Sequence, residues 1–144
     1  MPEPSMPTGQ HYEVTPIGRV ESRLVDPADA PRQGDEGAPA AWLVFEPRLL
    51  DGLSGLKVGD RIIVITWLHR ARRDVLRTYP RGDTNAPEVG VFGLRSPDRP
   101  NPIGFHPVEI LAISGHRVLV SNLEAIDGTP ILDVKPALGP IEGR

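Results

Sequence analysis

Between Trp67 and His106 stand seven arginines, Arg70, Arg72, Arg73, Arg77, Arg81, Arg95 and Arg99, with four acids and no lysine. Guanidinium donates in a planar fork and holds its hydration weakly, so such a set suits phosphates, carboxylates and stacked bases. A solvated loop face explains a charge cluster equally well. Trp67-Leu68-His69-Arg70-Ala71-Arg72-Arg73 joins an aromatic and an imidazole to three guanidinium groups. That mixture fits adenine stacking and phosphate contact, or simply the solvation of a strand end. Further on, Arg95 to Pro107 carries four prolines. Proline fixes φ and restricts the residue before it, so the segment reads as a stiff loop. A stiff loop presenting Arg95, Arg99 and Asn101 loses little entropy on gripping a ligand, although an extended wrap around the fold uses the same composition. The run Leu123-Glu124-Ala125-Ile126-Asp127-Gly128 ends in turn residues, and turn formation alone accounts for Asp127 and Gly128.

Several chemistries drop out. The chain has no cysteine, which removes thiol nucleophiles, thiolate metal sites and disulfides. Its four histidines, His11, His69, His106 and His116, lack metal-ligand spacing, and no metal is expected. There is no glycine fingerprint after a strand, no Walker loop and no nucleophile elbow. A set of Ser96, His106 and Asp98 can be composed, but nothing in the spacing selects it.

The elements that must position these residues are short. Seventeen prolines and fifteen glycines in 144 residues, with β-branched runs and no long helical period, argue against a helical bundle. Strands are predicted over 12–20, 42–45, 61–68, 91–94, 108–113, 117–122 and 131–134, and a short helix over 49–56 from its leucine spacing. Pro16 confines the first strand to an edge or a bulge. Long loops follow at 26–39 and 81–89, a length that usually signals function or mobility. The expected architecture is mainly β: a single compact β-barrel with long loops and at most one or two short helices. Residues 1–10 read as a disordered leader, 11–138 as the barrel domain and 139–144 as a tail resembling a protease-site remnant. No segment is long and apolar enough to span a bilayer and no signal peptide is visible, so a cytoplasmic location and no membrane partner are expected.

The order and spelling of several words resemble the TsaA-like (TrmO) family of S-adenosylmethionine-dependent tRNA methyltransferases. They are Gly90-Val91-Phe92 before Arg95-Ser96, Arg99-Pro100-Asn101-Pro102-Ile103-Gly104, and Asp127-Gly128-Thr129-Pro130 with Asp133-Val134-Lys135-Pro136. Weaker matches are Ile17-Gly18, Pro31-Arg32-Gln33, Leu53-Ser54-Gly55-Leu56 and His69-Arg70. The resemblance implies a β-barrel unlike the Rossmann methyltransferases, a homodimer with S-adenosyl-L-methionine near its interface, and tRNA as partner. By matching position it implies cofactor contacts from Pro31, Arg32, Gln33, His69, Arg70, Arg95 and Phe105. Leu123, Glu124, Ala125 and Ile126 would add largely backbone contacts. Longer family members continue into a second domain thought to help hold tRNA, whereas this chain stops soon after Pro136.

The reaction so implied is methylation of the exocyclic nitrogen of threonylcarbamoyladenosine beside the tRNA anticodon. That nitrogen's lone pair is delocalised, so a base would help, and His69, His106 and Asp127 are candidates by chemistry. Arg70, Arg72, Arg73 and Arg99 would contact phosphates or the threonyl carboxylate, with Arg72, Arg73 and Arg99 the candidates for RNA binding. Two alternatives stay open: methyl transfer to another nucleoside or a small molecule, and a non-catalytic S-adenosylmethionine-binding regulator.

Overall fold

The structure, a computed structural model, describes residues 9–26 and 37–139. Its longest strand shows what organises it. Along Ile103–Ser114, Gly104, His106, Val108 and Ile110 are buried while Ile103 and Glu109 are exposed. A period of two places one face of the strand in the core and the other outside. The same alternation in neighbouring strands gives a common interior of Val20, Leu43, Phe45, Ile62, Val64, Val108, Ile110, Val118, Val120 and Ile131. Each such side chain, fully buried, contributes about 1.5–3 kcal/mol.

In chain order the strands are β1 (Gly18–Glu21), β2 (Ala41–Phe45), β3 (Arg61–Trp67), β4 (Arg77–Thr78), β5 (Val89–Gly90), β6 (Ile103–Ser114), β7 (Arg117–Val120) and β8 (Pro130–Pro136). All but β4 and β5 join one antiparallel sheet in the order β1-β2-β7-β6-β3-β8. The sheet closes into a barrel where Gly18 and Arg19 of β1 pair with Ile131 and Pro130 of β8. Gly18 is required there, because a Cβ would run into the Val44 carbonyl. Strands β4 and β5 form a separate two-stranded ladder.

Several expectations need adjusting. The first strand shortens to Gly18–Glu21. The leucine-spaced helix is a 3-10 helix, Pro47–Leu53, and two further 3-10 turns at Pro80–Gly82 and Val91–Gly93 exceed the expected one or two helices. Residues 91–94, expected as a strand, curl because the Arg99 guanidinium gathers the carbonyls of Val91, Leu94 and Ser96. The stiff loop ends at Pro102, since β6 already runs through Pro107, which pairs with Ile63. Proline is tolerated because β7 pairs with β6 only from Ile110 onward, leaving the earlier edge without a ladder. Of the leader and tail, residues 1–8 and 140–144 lie outside the described residues.

Candidate functional site

Antiparallel order assigns every loop of the barrel to one rim or the other. Strands β1, β3 and β7 end, and β2, β6 and β8 begin, at one rim. The connections 22–40, 68–102 and 121–129 therefore leave from that rim, while the opposite rim has the 46–60 connection and the turn at 115–116. The arginine-bearing 67–73 segment, the proline-rich segment and the 123–128 run meet at the first rim, whereas Ile17-Gly18 and Leu53-Ser54-Gly55-Leu56 lie at the opposite one. Pro31, Arg32 and Gln33 lie outside the described residues.

Hydrogen bonds tie the three connections together. The Leu68 amide donates to Pro102 O at 2.8 Å and Leu123 N to Pro39 O at 3.1 Å. Asp127 receives the Ser22 amide on Oδ1 at 3.0 Å, and its own amide donates to Leu24 O at 2.6 Å. Arg70 Nη1 donates to Val25 O at 3.0 Å. Both Asp127 and Arg70 are exposed, as is His69.

The arginines divide into two groups. Arg99 turns inward, giving Nη1 to Leu94 O and Ser96 O and Nη2 to Val91 O at 2.9–3.1 Å. Arg73 lies over the Trp67 ring, 5.2 Å to the centroid, and donates to Pro100 O at 2.7 Å and Asn101 Oδ1 at 2.9 Å. These two guanidinium groups brace the proline-rich loop, Arg99 from a partly buried position and Arg73 from the surface. Arg95 remains exposed over Phe105, 4.7 Å to the ring centroid. Arg72 reaches outward as well, with its side chain 68% exposed and its fork on Asp74 at 3.0–3.1 Å. That bond holds the Asp74 carboxyl below its ordinary value and the Arg72 guanidinium above its own. Arg99 and Arg73 thus have loop-bracing work beside the RNA contact expected of them.

Of the three base candidates, His106 is the buried one, at 3% exposure. Its Nδ1 meets Glu124 Oε1 at 2.6 Å and its Nε2 meets Thr66 Oγ1 at 2.7 Å. Neither ring nitrogen remains for a substrate, which separates it from His69 and Asp127. It also excludes the Ser96, His106 and Asp98 set, because Asp98 accepts the Arg72 amide instead. Leu123 and Ala125 are buried in the core, so their segment offers a ligand its main chain, Glu124 and Ile126. Sequence reasoning passed over Thr66 and took Gly104 only as part of a family word, without a role. The signal was present: Thr66 interrupts the apolar inward face of Ile62 and Val64, and Gly104 sits two residues from His106, where a Cβ would strike both Thr66 Oγ1 and His106 Nε2.

A surface cleft of about 350 Å³ opens beside Glu21, Ser22, Arg23, Ala40, Ala41, Trp42, Leu119 and Asp127. It shares Asp127 with the candidate set but none of Arg70, Arg95, Phe105 or Glu124.

Residues 19–141 match the family model of the tRNA-methyltransferase O N-terminal domain. The chain belongs to this family. An S-adenosyl-L-methionine-binding protein of Archaeoglobus fulgidus is 43% identical over 120 residues, covering 83% of this chain and 85% of that protein. A "Probable S-adenosyl-L-methionine-binding protein" of Methanothermobacter thermautotrophicus is 41% identical over 123 residues, covering 85% of this chain and 88% of its own length. The crystal structure of TrmO from Pseudomonas aeruginosa superposes with a TM-score of 0.70 at 28% identity, over 90% of this chain and 57% of the TrmO chain. Relative to that structure, this tRNA-methyltransferase O family chain spans little more than half the length. Among the described residues no helix is long and apolar enough to cross a membrane, and no His, Asp and Glu group is placed to hold a metal.

Proposed function

We propose that the loop-bearing rim of the barrel binds S-adenosyl-L-methionine and that the protein transfers its methyl group to the exocyclic nitrogen of threonylcarbamoyladenosine in tRNA. The observation that carries this reading is the convergence of Arg70, Arg95, Phe105, Asp127 and the 123–126 segment, distant in sequence, on one rim. The donor set fits such a molecule. Phe105 offers an aromatic face beside a cation, Glu124 and Asp127 offer acceptors for hydroxyl or ammonium groups, and Arg70 and Arg95 offer donors for a carboxylate.

The cofactor supplies an activated methyl on a sulfonium. The protein aligns the partners and excludes competing geometries, and the loop braced by Arg73 and Arg99 suits that task because it is already ordered. His69 and Asp127, exposed at the rim, are the groups placed to receive the acceptor's proton. Exposed Arg72 suits a phosphate contact, adding a salt-dependent component to RNA affinity. A homodimer with its cofactor near the interface and a cytoplasmic location belong to the same reading.

A second reading, a non-catalytic S-adenosylmethionine-binding regulator, draws on the engagement of Arg73 and Arg99 with the loop's own acceptors, which leaves fewer unoccupied guanidinium groups for RNA. Incubation with methyl-labelled cofactor and tRNA, with or without the threonylcarbamoyl group, separates the two. Label in the modified tRNA alone supports methyl transfer to that nucleoside. Tight cofactor binding without transfer supports the regulator, and label in unmodified tRNA indicates another acceptor.

A further inference from the structure

Polar side chains are costly to bury unless each finds a partner. Among the described residues three are buried: Thr66, His106 and Thr129. Thr129 has a local role, its hydroxyl donating to Ile126 O at 2.7 Å. Thr66 and His106 instead start a chain of contacts that ends at Glu124, whose side chain is 14% exposed at the rim.

The direction of this chain follows from its chemistry. The tautomer assigned here is the one in which the carboxylate accepts, so that His106 Nδ1 donates to Glu124 Oε1. In the neutral ring Nε2 is then the acceptor and takes the Thr66 hydroxyl hydrogen. Gly104, directly opposite Thr66 in β6, leaves the room this pairing occupies. Glu124 Oε1 is thereby fixed, while Oε2 has no partner among the described residues. The Glu124 side chain as a whole is 14% exposed at the rim. Its backbone is held on both sides by the buried side chains of Leu123 and Ala125. The result is a carboxylate oxygen with restricted freedom, presented between the loops at the rim.

We propose that Glu124 Oε2 accepts a hydrogen bond from the ribose hydroxyls of the bound cofactor, and that His106 and Thr66 are positioning residues for that carboxylate. The proposal rests on the S-adenosylmethionine reading above. A ribose hydroxyl needs only the single acceptor that Oε2 offers once Oε1 is committed to His106, and the cofactor's ammonium is the competing donor that the two ligands below separate. The orientation fixed from behind lowers the entropy lost when the contact forms.

Calorimetry on the full chain tests this with two ligands, S-adenosylhomocysteine and 5′-methylthioadenosine, which share the ribose while the second lacks the amino-acid end. Glu124→Gln is expected to weaken both by about tenfold, since a directed acceptor becomes a donor. Thr66→Val is expected to weaken both by about fivefold alone but less than about twofold when added to Glu124→Gln, because the two act through one contact. Thr66→Ser, which keeps the hydroxyl, should retain wild-type affinity. If Thr66→Val fails to fold, His106→Gln replaces it in the same cycle, with the same expected dependence on Glu124.

Losses confined to S-adenosylhomocysteine would move the contact to the ammonium and overturn the ribose assignment. Additive losses would overturn the positioning role and leave Thr66 and His106 merely structural. Wild-type binding of both ligands with no loss in any variant sinks this inference alone. A wild-type protein that binds neither ligand overturns the cofactor reading and this inference together.

Discussion

Two polar arrays of similar chemistry occupy different regions of this barrel. On the outer face of β1, β2 and β7, Glu21 receives Arg117 Nη2 at 3.0 Å and Arg19 Nη2 at 3.4 Å, and Arg117 lies 5.2 Å from the Trp42 ring centroid. At the loop-bearing rim, Glu124 receives His106 at 2.6 Å and His106 meets Thr66 at 2.7 Å. The rim contacts are shorter than the outer ones, and their surroundings differ further. The outer side chains are 36–59% exposed, whereas His106 and Glu124 are at 4% and 14%. Water competes for the outer contacts and salt screens them, so removing one leaves its partners solvated. At the rim a lost partner strands a buried donor or acceptor. Burial, more than geometry, decides which array can hold a structure in place.

The largest break in the comparison comes from the glycine that makes room for the buried array. Gly104→Ala inserts a methyl against Thr66 and His106, and overpacking of this kind costs about 1–3 kcal/mol in a urea melt. Thr66→Val keeps the shape and removes the hydroxyl, leaving Nε2 without a donor, and should cost about 1–2 kcal/mol. Arg99→Ala removes a donor set that holds three carbonyls. We expect about 1 kcal/mol of lost stability, with faster limited proteolysis between residues 91 and 100. Arg117→Ala on the outer face should cost less than any of these, and its effect should shrink further at high salt.

The smallest effect is one of pH. The Arg117 hydrogen bond holds the Glu21 carboxyl below its ordinary value of 4.5. A carboxyl lowered on folding stabilises above its unfolded value, and the contribution is lost as pH falls through the folded one. Glu21→Gln should therefore leave stability near pH 7 slightly reduced and flatten its decline below about pH 4.5, measured by thermal melts across pH.

Much of this division was legible in the sequence. The β-rich architecture follows from β-branched runs between turn residues, and the segments that gather at the rim were each marked by their own composition. The exposed positions of His69, Arg70 and Arg95 at strand ends and loops follow from the same reading. What escaped depends on contacts across the barrel. Nothing local says that Arg99 folds back onto three carbonyls and curls residues 91–94, or that Pro107 can sit in a strand because its edge there has no neighbour. His106 looks like any candidate base until Thr66, forty residues earlier, and Glu124, eighteen later, are seen to occupy both its nitrogens.

The central claim is that the cofactor binds at the rim occupied by Arg70, Arg95, Phe105 and Glu124, and not in the neighbouring cleft of Glu21, Trp42 and Leu119. Titration of isotopically labelled protein with S-adenosylhomocysteine, followed through backbone amide shifts, tests it directly. The largest shifts are expected at residues 68–70, 95, 105 and 123–127. Shifts centred on Glu21, Trp42 and Leu119, with those rim amides unmoved, would contradict it.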